Sequence, residues 1–170
     1  FFLTHGWDKK IPPRAIEKLG TDFLCPEIKY KFHACCHGLH SFLEALDEMK
    51  LENNFNPETI EEIAIETNPS WLKVCNIEEP KTGLESKFSY KLTAAMSIYG
   101  KDTSNLDTYS DEICFDDNLN NIRDKVRVIP NDNLSNTQSL ISIKDGSSNV
   151  KNKHDLSDKI ETVSYTHLRA

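Results

Sequence analysis

Residues 139–154, SLISIKDGSSNVKNKH, decide how this chain is built. Polar and apolar residues alternate through SLISI (139–143), the two-residue period of a strand with one wet face. Asp145-Gly146 is a strong two-residue hairpin signal and leads into a second strand over 148–154. Working backwards, KVRVI (125–129) alternates in the same way. Further back, Ile63 and Ile65 alternate with Glu62, Ala64 and Glu66, and Asn68-Pro69 closes that run. One strand therefore precedes the middle helices and three follow them. That order predicts an α+β fold, a small antiparallel sheet with helices packed on one face.

The helices are legible from their apolar spacing. From about Gly38, residues Leu39, Phe42, Leu43, Leu46 and Met49 fall on one face, with Glu44, Asp47 and Glu48 opposite. Leu84, Phe88, Leu92, Ala95, Met96 and Tyr99 form a second face, stopped by Gly100. Shorter helices are predicted at 103–109 and 117–123, capped by Asp102 and Asp117. Asn56-Pro57 predicts one turn. Residues 11–24 carry Ile16, Leu19 and Phe23 at helical spacing, followed by an extended piece, PEIKYKF.

Composition narrows the function. The chain has 170 residues, a 38% apolar fraction and a net charge of -7. An acidic balance argues against nucleic acid, which calls for a basic face that displaces counterions. No apolar run reaches the roughly eighteen residues of a membrane-spanning helix. The opening FFLTHGWDKK lacks the features of a secretory signal and reads as the middle of a longer chain. Five cysteines, an odd number without regular spacing, argue against a disulfide framework and for a reducing, cytoplasmic setting.

The densest chemistry lies in KFHACCHGLH, Lys31 to His40, with one lysine, two cysteines and three histidines. A zinc site needs four ligands, usually as two pairs. His37 and His40 form an i, i+3 pair that Cys36 could join, but no second pair follows; Cys75 and Cys114 stand alone. A redox motif would space its cysteines as Cys-x-x-Cys, and a disulfide between neighbours is strained. The plainest reading makes the cysteines small buried apolar residues and the histidines surface residues at a helix start.

Lys31 to His40 also resembles the K-x-Y-P-x-C-x-x-T-H signature of the MmgE/PrpD family, which includes 2-methylcitrate dehydratase, cis-aconitate decarboxylase and iminodisuccinate epimerase. Lys31, Cys36 and His40 match, while His33, Ala34 and Leu39 stand where the signature has Tyr, Pro and Thr. Downstream, NPETIEEIAIETN, KTGLESKFSYKLTAAMSIYG and DEICFDDNLNNIRDKVRVIPND resemble the family's following elements in order and spacing.

The resemblance implies residues 1–20 as the end of an all-helical domain and 21–162 as an α+β lid. VSYTHLRA (163–170) continues no pattern and is read as a non-native tail. It implies a homodimeric lyase or isomerase acting without metal or cofactor on a di- or tricarboxylate, by proton abstraction next to a carboxylate. Lys31 and His40 would be catalytic, and Lys31, Cys36 and His37 would bind substrate. Cys36, where decarboxylase-like members carry a histidine, favours a dehydratase- or epimerase-like reaction. Trp71 lies near a position that can face the pocket. A non-catalytic α+β module with incidental histidines is the alternative.

Overall fold

The computed structural model describes residues 18, 20, 21, 31–146 and 148–157. The chain divides into two compact units, Phe1–Tyr30 and Lys31–Ala170, and all elements below belong to the second. The readings at Ile16, Leu19 and Phe23, at the extended piece up to Tyr30 and at 163–170 lie outside the described residues.

A four-stranded sheet in the order β2-β1-β3-β4 is built from β1 (Ile60–Thr67), β2 (Val126–Pro130), β3 (Gln138–Asp145) and β4 (Ser148–Asp155). Helix α1 (His40–Glu52) lies across β3 and β4. Phe42, Leu43 and Leu46 are fully buried with Ile63, Ile65, Ile141 and Ile143 of the sheet. Each such side chain contributes about 1.5–3 kcal/mol by leaving water. The strands are thus apolar on the helix side and more polar on the other, as their alternation requires.

The α+β class is as expected, with one correction to the sheet. β3 pairs antiparallel with β1 and with β4, whereas β1 and β2 run parallel. The helical stretch between β1 and β2 is the long crossover that parallel neighbours require. The hairpin also sits one residue later than Asp145-Gly146 suggests. Asp145 pairs with Ser148 as the last residue of β3, and Gly146 takes the first corner at φ +56°. A side chain is strained there and glycine is not.

The middle helical run is broken rather than continuous. α2 (Pro69–Leu72) is a single turn capped by Asn68, whose side chain accepts from the Ser70 amide. α3 (Gly83–Ser86) ends, and the Ser89 side chain caps a new helix, α4 (Tyr90–Ile98), by accepting from the Leu92 amide. Leu84 consequently falls off the common face and is 69% exposed. Gly100 does stop α4. Its amide donates to Ser97 O and the Lys101 amide to Met96 O, both at about 3 Å, satisfying two end carbonyls.

α5 (Asp117–Arg123) is capped by Asp116, not Asp117, with amides of Asn118 and Leu119 donating to its carboxylate. The predicted helix at 103–109 is only a 3-10 turn, Leu106–Thr108, capped by Asn105. Asp102 instead accepts from Ser104. No helix among the described residues is long and apolar enough to cross a membrane.

Candidate functional site

Residues 31–36 form an irregular loop that enters the 3-10 turn His37–Leu39 and then α1. Two backbone bonds of 2.9 Å lace it down, from the Ala34 amide to Thr103 O and from the Cys36 amide to Lys87 O. The turn itself is held from below and from the side. Tyr90, fully buried on α4, donates its hydroxyl to Gly38 O at 2.8 Å, and Thr67 Oγ1 is 3.2 Å from that hydroxyl. The Trp71 ring packs on Gly38 so closely that a Cβ there would come within 2.5 Å of Cε3. Trp71 Nε1 donates to Asn136 O at 2.8 Å, which fixes the ring in place.

Three imidazoles converge on this turn. His40 is 1% exposed, and its ring centroid is 5.2 Å from those of both His33 and His37. His37 is half-buried, with the Trp71 ring 6.3 Å away. His33 is buried between Thr103 Oγ1, 2.7 Å from Nδ1, and Glu44 Oε1, 3.2 Å from Nε2. Both nitrogens of His40 are buried and have no hydrogen-bond partner among the described residues. Burial lowers its pKa to about 4, helped by the neighbouring His33, His37 and Lys31 charges and opposed by Glu44. At neutral pH His40 is therefore an uncharged ring.

Lys31 supplies the positive charge. It is exposed, and its Nζ donates to Cys35 O at 3.1 Å. Among the described residues that bond engages one of the three donors of an ammonium, leaving two to reach a ligand. Two buried thiols are inert by comparison. Burial pushes Cys35 and Cys75 each up to about 12, far above the range of a nucleophilic cysteine. Cys36 is half-buried beside them. Among the described residues, no group of three or more His, Cys, Asp or Glu side chains is arranged to hold a metal ion.

The structure thus gathers Lys31, His37 and His40 about one turn, with Cys36 at its N-cap. The plainest reading holds in part for the cysteines of this stretch, since Cys35 is buried and Cys36 half-buried, and fails for two of its histidines, since His33 and His40 are buried too. Two residues are more involved than their sequence positions suggest. His33 reads as a departure from the signature and Glu44 as part of the wet face of α1, yet Glu44 is only 6% exposed and meets His33. The one available signal was His33 itself, a polar residue where the signature places an aromatic.

A model of the MmgE/PrpD C-terminal domain matches residues 33–164, with Lys31 just ahead of the matched span. No curated protein matches the chain.

Proposed function

Because the chain belongs to the MmgE/PrpD family through its C-terminal domain, we propose that it forms part of a lyase or isomerase acting on a di- or tricarboxylic acid. The reaction is removal of a proton from the carbon next to a carboxylate, followed by elimination or by return of the proton. The family match over 33–164 is the observation that carries this reading. The geometry of the histidine turn supplies its chemistry.

As the proton leaves, negative charge builds on the neighbouring carboxylate. A cation fixed beside that group before the reaction lowers the barrier, because it does not have to reorganise. Lys31 fills this role, with its ammonium anchored on Cys35 O and two donors open. Cys36 and His37, both half-buried on the same turn, form the rim that contacts substrate. His40 is expected from the resemblance to be catalytic. Its 1% exposure instead supports a positioning role, a neutral ring against which His33 and His37 pack.

The remaining catalytic groups would come from the helical domain of a complete, cytoplasmic homodimer, and this unit alone would be inactive. The test is to express the complete protein and offer it citrate-like di- and tricarboxylic acids. Ultraviolet absorbance reports a new conjugated double bond, and proton NMR in heavy water reports exchange of the hydrogen next to a carboxylate. At least one acid should give one of these signals. A folded complete protein that gives neither with any acid of the panel would contradict the proposal.

A further inference from the structure

The loop that carries Lys31 is gripped through a residue to which the carboxylate chemistry gives no part. His33 is buried, and its ring meets two segments that are remote in sequence. Nδ1 lies 2.7 Å from Thr103 Oγ1, and Nε2 lies 3.2 Å from Glu44 Oε1 on α1. A neutral imidazole has one donor and one acceptor nitrogen, so a single ring can serve a hydroxyl and a carboxylate together. Thr103 grips the loop a second time, because the Ala34 amide donates to its carbonyl at 2.9 Å. Thr103 is itself buried, and the Tyr109 hydroxyl donates to the same carbonyl at 3.0 Å. On one side this corner has room to move. His33 and Thr103 line an open cleft of about 300 Å³ whose walls include Lys50, Gly100 and Ser104. Hydrogen bonds, more than close packing, therefore set where the loop lies.

We propose that His33 is the positioning residue of the Lys31 site, a latch that ties the loop carrying the ammonium to α1 and to the Thr103 segment. Lys31 stands two residues before His33, and Cys35, whose carbonyl anchors the Lys31 Nζ, stands two residues after it. One fixed ring thus sets both the lysine and its anchor. The inference rests on the carboxylate reading, in which the ammonium must be in place before charge develops. A displacement of about 1 Å in such a group can cost about 10²-fold in rate.

Three substitutions separate the latch from a general loss of structure. His33→Phe keeps an aromatic ring and removes both nitrogens. Thr103→Val keeps the branched shape and removes only the hydroxyl, leaving the carbonyl grip on Ala34. His33→Gln retains one donor and one acceptor on its amide, as the imidazole has.

The test measures amide hydrogen exchange and turnover in the complete protein bearing each substitution. The Ala34 amide should exchange about tenfold faster in His33→Phe and in Thr103→Val, with the amides of β1 unchanged. Turnover should fall about 10²-fold in His33→Phe while KM moves by less than about threefold, because the lost contact is one that strengthens in the transition state. His33→Gln should recover most of both. An unaltered protein that turns over no acid contradicts the carboxylate reading alone, since exchange at Ala34 reads the latch without substrate. Four results would overturn the proposal. They are unchanged Ala34 exchange in both loss variants, a rise spread equally through β1 in both, normal turnover in His33→Phe beside a fast Ala34 amide, and no recovery in His33→Gln.

Discussion

A ring buried to 1% exposure, with neither nitrogen hydrogen-bonded among the described residues, favours its neutral form, and His40 makes that testable. Its folded pKa, about 4, lies below the roughly 6.5 of an unfolded histidine. Above the unfolded value neither state binds the proton and pH has no effect through this group. As pH falls, the unfolded chain is protonated first, so stability drops by about 1.4 kcal/mol per pH unit, or about 3 kcal/mol by the folded pKa. His40→Leu removes both unsatisfied nitrogens, which costs little where the shape is kept. We predict that urea unfolding of this variant loses less stability between about pH 6.5 and about pH 4. Parallel acid limbs in variant and parent would contradict the assignment. The reactive residues of this turn were legible because they stand together in Lys31–His40. The His33–Glu44 contact was not. It depends on how α1 leaves the turn, and no periodicity of α1 marks Glu44 as buried.

At the scale of elements, apolar spacing located the strands and long helices, and local hydrogen bonding set their ends. Two aspartates stand side by side where α5 begins, and spacing alone does not say which one caps it. Asp116 has extended backbone and accepts from the Asn118 amide at 2.9 Å and the Leu119 amide at 3.2 Å. Asp117, one residue later, is inside the helix. Asp116→Ala should therefore cost about 1 kcal/mol of stability, and Asp117→Ala should stay within about 0.5 kcal/mol. Thermal unfolding of the two variants checks this, and equal losses would mean the cap is misassigned. The split between α3 and α4 has the same origin. Leu84 fits a helical stripe on paper, but Ser89 restarts the helix with its own cap and changes the phase. The parallel pairing of β1 and β2 was likewise hidden, because alternation within a strand carries no information about its direction.

For the whole molecule, the sheet and α1 act as a platform that presents one turn. α4 holds the Gly38 carbonyl through Tyr90, Trp71 covers Gly38, and the loop ahead of it carries the Lys31 ammonium. The central claim is that this ammonium meets a substrate carboxylate in the complete protein and strengthens its contact as charge develops. Lys31→Met keeps most of the apolar stem and removes the charge. Lys31 is exposed and makes one side-chain bond among the described residues, so the substitution should change stability by no more than about 0.5 kcal/mol. Losing one preorganised charge contact costs about 2.7–4 kcal/mol in the transition state, roughly 10²–10³ in turnover. The decisive measurement is turnover of complete Lys31→Met enzyme against the unaltered enzyme on the same carboxylic acid, with both melting temperatures recorded. The account predicts a fall of about 10²–10³ at an unchanged melting temperature; turnover within a few-fold of the unaltered enzyme would contradict it.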